Sequence, residues 1–120
     1  MTTEILNDSD KLLIQRAYRR LLRSLDRNAV EEDLRNIRLA YEMAVEAHSK
    51  QRRKSGEPYI LHPIEVARIC VEEIGLGPTA VICALLHDVV EDTEVTIANV
   101  REKFGDNVTY RKQKARVLAW

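Results

Sequence analysis

The residues that interrupt helices are scarce in this chain, and their positions constrain what it can fold into. Four glycines and three prolines stand in 120 residues, at 56, 58, 63, 75, 77, 78 and 105. The stretches between them lack the strict alternation of a half-buried strand and carry apolar residues at three- and four-residue spacing instead. Ile14, Ala17, Tyr18, Leu21, Leu22 and Leu25 form one such stripe, with Arg16, Arg19, Arg20 and Arg23 mainly on the other sides. The fold expected is all-α.

Helix limits follow from the same punctuation. A first amphipathic helix is expected from Asp8 to about Leu25. Asn28, followed by Glu31 and Glu32, offers a capping side chain and then carboxylates at the positive end of a helix dipole. The second helix would present Leu34, Ile37, Tyr41, Ala44, Val45 and His48 on its apolar face. Ser55-Gly56 and Pro58 break the pattern, leaving residues 50–61 as a basic loop. Pro63 is expected as the first residue of a third helix, with Val66, Ala67, Cys70 and Ile74 inward and Gly75 as its left-handed stop. Gly77-Pro78 repeats the start signal for a fourth helix through Asp92, and Thr96 is expected to cap a short fifth one ending at Phe104-Gly105.

The chain reads as a single domain over residues 1–120, large enough to bury roughly two-thirds of its unfolded surface without disulfides or a structural metal. Hydrophobic residues at 45% and charged ones at 32% fit a globular protein. Nineteen basic and nineteen acidic side chains cancel, so the whole-domain charge footprint of a DNA- or RNA-binding protein is missing. No apolar run approaches the ~20 residues that span a bilayer, and the first residues have no signal-peptide core. Cys70 and Cys83 form no CxxC pair and read as reduced core residues, which points to the cytoplasm.

Chemistry concentrates at the end of the fourth helix. Val81, Ala84, Leu85 and Asp88 share a face, so a stripe that is apolar for two turns becomes ionisable as it continues. His87 and Glu91 are one turn apart, as are Asp88 and Asp92. Three carboxylates at a helix C-terminus oppose the dipole, a placement that a nearby cation relieves. Imidazole beside carboxylate suits Mn, Fe or Zn, whereas an acidic run by itself is commonly a solvated helix end. Two adjacent residues cannot complete a metal site. Of the remaining imidazoles, His48 is in register with an apolar face and reads as structural, while His62 sits just before a helix start, where a side chain can point into a cleft. The run Arg52-Arg53-Lys54-Ser55 has two readings, a solvated loop or a grip on a phosphorylated, aromatic ligand.

QRRKSGEPYILHPIEVA (51–67) and ALLHDVVEDT (84–93) together resemble the hydrolase domain of the Rel/Spo family, the bacterial enzymes that make and destroy (p)ppGpp. The resemblance covers about residues 38–108. It implies an all-helical HD-superfamily bundle and a manganese-dependent hydrolase that removes pyrophosphate from the ribose 3′ position to leave GDP or GTP. By motif, His62, His87 and Asp88 correspond to metal ligands. Glu91 and Asp92 match the pair that positions or activates the attacking water. Arg53 matches the arginine that packs on guanine, and Lys54 and Ser55 match neighbouring nucleotide contacts.

Residues 109–120 (TYRKQKARVLAW runs from 109) depart from the family pattern. Nothing in them matches the aspartate that supplies a fourth ligand from a later helix in relatives, so the bundle is expected to lack its C-terminal helices. Two further outcomes follow from that expectation: a catalytically incomplete module that binds guanine nucleotide or a protein partner, and self-association through helix faces left without their packing partners.

Overall fold

The computed structural model describes residues 6–25 and 29–92, the side chains of 90–92 excepted. Four helices follow one another: α1 (Asp8–Ser24), α2 (Glu31–Ala47), α3 (Leu61–Glu72) and α4 (Pro78–Asp92). No strand occurs among the described residues, whose one β-type pairing is an isolated bridge between Arg52 and Pro58. The all-α expectation holds, and Pro78 opens α4 as anticipated. The expected fifth helix and the divergent tail lie outside the described residues.

α1 begins with a reciprocal cap. Asn7 Oδ1 accepts from the Asp10 backbone N–H at 2.8 Å, and Asp10 Oδ2 accepts from the Asn7 N–H at 3.1 Å, satisfying two of the helix's orphan donors. α2 starts differently from expectation. Its N-cap is Val30, whose N–H donates to the Asp33 carboxylate at 3.4 Å. The helix is therefore closed from inside its first turn; Asn28 lies outside the described residues.

The core forms where α4 packs against α2 and α3, with α1 laid on α3. Leu21, Ile37, Ile60, Ile64, Val81, Leu85, Leu86 and Val89 are fully buried. Burial of each is worth about 1.5–3 kcal/mol against exposure. Every residue from Val81 to Leu86 is buried, so α4 is enclosed on all sides rather than along one stripe. Tyr18 and Tyr41 stack at 3.8 Å between centroids and tie α1 to α2.

Two core assignments are corrected. Ile74 is 64% exposed, because α3 ends at Glu72 and residue 74 lies past the helical stripe, in the turn that Gly75 closes at φ +81°. Leu34 is also exposed, on the first turn of α2. Val66 and Cys70 are half-buried, and Ile64 takes the buried place beside Ala67.

Candidate active site

The loop between α2 and α3 is a small built structure. Arg53 N–H donates to the Glu57 carbonyl at 2.9 Å, and Gly56 N–H donates to the Arg53 carbonyl at 2.8 Å. Gly56 closes this turn at φ +96°, in the left-handed region that glycine enters without a Cβ penalty. Arg52 turns inward to brace it: one guanidinium nitrogen donates to the Gly56 carbonyl at 2.9 Å and another to Asp10 Oδ2 at 2.6 Å. That ion pair pulls the Asp10 carboxyl below its ordinary pKa, with the Asn7 backbone hydrogen bond adding to the effect. The cap of α1 and the loop are thereby fastened together across 42 residues.

With Arg52 committed, the turn displays Arg53, Lys54 and Ser55 to solvent. Ser55 Oγ donates to Glu57 Oε1 at 3.2 Å, and Arg53 Nε lies 3.9 Å from the same oxygen. Arg53 Nη1 is also 3.4 Å from His62 Nδ1. Arg53 and one candidate ligand are therefore neighbours. α3 starts two residues earlier than expected, at Leu61, because Pro63 is tolerated anywhere in a first turn, whose N–H groups have no intrahelical acceptor. His62 is therefore the second residue of the helix and not the one before it, and its backbone N–H donates to the Tyr59 carbonyl at 2.9 Å.

His87 and Asp88 form the centre of the site. His87 Nδ1 is 3.0 Å from the Ala84 carbonyl, one turn back on α4. A carbonyl can only accept, so the ring proton belongs on Nδ1. Nε2 then faces Asp88 Oδ1 at 3.1 Å. The imidazole nitrogen and the carboxylate oxygen stand side by side at the exposed end of the pair. Two donors each about 2.1 Å from one ion at right angles stand about 3.0 Å apart, so this edge fits two adjacent corners of a coordination shell. The backbone acceptor behind the ring is the usual support of a metal-binding histidine.

The third candidate ligand, His62, does not join them. Among the described residues, no group of three or more His, Cys, Asp or Glu side chains is gathered closely enough to hold a metal ion. Tyr59 stands between instead. Its hydroxyl donates to Asp88 Oδ2 at 2.6 Å, and its ring lies 6.0 Å from that of His62. Glu91 and Asp92 fall on the last turn of α4, and their side chains lie outside the described residues. The chemistry of the donor set suits a divalent cation, and two of its three members already present the right edge.

Two contributors were not singled out from sequence as site residues. Tyr59 belongs to the quoted EPYILHP run, but nothing local signals that it reaches Asp88 across 29 positions. His48, read as structural, is indeed fully buried; its ring packs 4.9 Å from that of Tyr59 and its Nδ1 is bonded to Gln51 Oε1.

Residues 40–110 match the model of the HD domain family. The chain belongs to that family. This HD domain is 49% identical over 72 residues to the guanosine-3′,5′-bis(diphosphate) 3′-pyrophosphohydrolase of Aquifex aeolicus, covering 60% of this chain and 10% of that protein. It is 45% identical over 78 residues to the bifunctional (p)ppGpp synthase/hydrolase SpoT of Escherichia coli, covering 65% and 11%. A GTP pyrophosphokinase of Streptomyces coelicolor is 44% identical over 90 residues, covering 75% and 10%. These relatives make it an HD domain of the Rel/Spo type. The chain spans about a tenth of the length of the curated relatives it matches. No helix among the described residues is long and apolar enough to cross a membrane.

Proposed function

We propose that this HD domain hydrolyses (p)ppGpp at the ribose 3′ position, releasing pyrophosphate and leaving GDP or GTP, as a cytoplasmic protein of the stringent response using manganese. The observation that carries the reading is the His87–Asp88 edge, an imidazole nitrogen and a carboxylate oxygen 3.1 Å apart with the ring's other nitrogen committed to Ala84. The relatives named as (p)ppGpp hydrolases support the choice of substrate.

In this reading His62, His87 and Asp88 would hold the cation. The chemistry it supplies is acidification of water and withdrawal of charge from phosphate. The chain's own residues do the rest. Arg53 stacks on the base, with its planar guanidinium held at the mouth of the site beside His62. Lys54 and Ser55, exposed on the same turn, meet the nucleotide's polar groups. Glu91 and Asp92, one turn beyond the His-Asp pair, take and return the proton of the attacking water.

The test is to incubate purified protein with Mn2+ and ppGpp. GDP and pyrophosphate are expected, and His87→Ala should abolish their release; no product from the wild-type chain at high protein concentration rejects catalysis. The separation of His62 from the His-Asp pair favours one alternative, a module that binds guanine nucleotide without turning it over. Retained ppGpp binding in a nucleotide titration, with no bound metal and no product, would select that alternative.

A further inference from the structure

We infer that Tyr59 is a positioning residue for the metal centre: its phenol holds one oxygen of Asp88 so that the other is presented beside His87 Nε2. This deepens the reading above and rests on it. The Tyr59 hydroxyl donates to Asp88 Oδ2 at 2.6 Å, while Asp88 Oδ1 lies 3.1 Å from His87 Nε2. A carboxylate free to rotate about its Cβ–Cγ bond would offer either oxygen or both. Pinning Oδ2 leaves Oδ1 as the single oxygen turned toward the imidazole, which selects one-oxygen coordination and removes the rotor's entropy before any cation arrives.

The tyrosine is itself held. Its backbone N–H donates to the Gln51 carbonyl at 2.9 Å, and its carbonyl accepts from His62 N–H at 2.9 Å. Its ring leans on the fully buried ring of His48, which the Gln51 side chain fixes through Nδ1. One aromatic residue thus connects the end of α2, the start of α3 and the chemical end of α4. His62 and Asp88, which lie on separate helices, are referenced to the same residue.

The experiment measures Mn2+ affinity of the full chain by electron paramagnetic resonance of the free ion, for wild type, Tyr59→Phe, Asp88→Ala and the double variant. Phenylalanine keeps the ring against His48 and removes only the donor; a cooperative thermal melt checks that the variant is folded. Tyr59→Phe should weaken Mn2+ binding about 10- to 100-fold, the range for losing such a supporting hydrogen bond. The double variant should bind no more weakly than Asp88→Ala, because the phenol acts through that carboxylate. An affinity within twofold of wild type overturns the inference, as does tighter binding, which would mean that the phenol competes with the cation. Equal losses in both backgrounds also overturn it, by assigning the effect to the fold. In each of these cases the wild-type chain still binds Mn2+ and the functional reading survives; a wild-type chain that binds none removes both.

Discussion

Replacing Leu85 by alanine tests whether α4 is the enclosed spine that carries the His-Asp pair. Leu85 has no exposed surface, and its neighbours Val81, Leu86 and Val89 are equally enclosed. Truncation there removes three methylene-sized groups from a site walled by α2 and α3, which cannot collapse without moving a helix. Such substitutions cost about 2.7–5 kcal/mol, the larger values where the cavity persists. With a urea m-value of about 2 kcal/mol/M, the unfolding midpoint should fall by roughly 1.5–2.5 M. Ile74→Ala is the internal control. It deletes a similar volume from a side chain that is 64% exposed and should shift the midpoint by about 0.25 M or less, within ~0.5 kcal/mol. Urea melts followed by circular dichroism measure both. A Leu85→Ala cost under 1 kcal/mol would refute the enclosure of α4, and an Ile74→Ala cost as large as that of Leu85→Ala would refute the exposure of residue 74 beyond the end of α3.

The Asp10–Arg52 pair should give the protein an acid limb. A carboxyl lowered on folding adds stability that is fully present above its ordinary pKa of 3.8 and is lost as pH falls through the folded value. Asp10→Asn should therefore narrow the stability difference between pH 6 and pH 3 measured by urea melts, and an unchanged slope would show that the pair does not form. Gly56→Ala meets no atom within 4 Å of the added Cβ, so its cost is backbone conformation alone. A left-handed alanine loses about 1–2 kcal/mol, partly offset by a stiffer unfolded chain, for a net loss of about 1 kcal/mol in thermal or urea melts; a stabilised variant would contradict the positive φ. Arg53→Lys should weaken ppGpp binding by about tenfold in calorimetric titration while leaving stability unchanged, since an ammonium cannot stack as a guanidinium does. Equal affinity would remove Arg53 from the nucleotide site.

Much of the helical order was legible because it rests on local rules. Pro78 opens α4 and Gly75 ends the approach to it, each for a backbone reason that a single residue carries. The chemical end of α4 is visible because four ionisable residues, His87, Asp88, Glu91 and Asp92, fall one turn apart in pairs where an apolar stripe ends. What stayed hidden depends on contacts between distant segments. Arg52 looked like one more cation in a basic run, and only the fold shows it braced against Asp10, while its neighbour Arg53 remains outside. Tyr59 reaches Asp88 from another element, which no periodicity reports. Placing Ile74 in the core extends a helical stripe two residues past the point where the helix ends. Asn28 is a better capping residue by type than Val30, yet α2 begins after Val30, whose side chain caps nothing and whose N–H donates to Asp33.

The most direct measurement is a crystal of this chain grown with Mn2+ and probed by anomalous scattering at the manganese edge. The account predicts one strong peak within about 2.0–2.4 Å of His87 Nε2 and an Asp88 oxygen, with the His62 ring moved in to the same ion. A map with no peak at that edge, or with manganese bound by other residues while His62 stays beside Arg53, would contradict it.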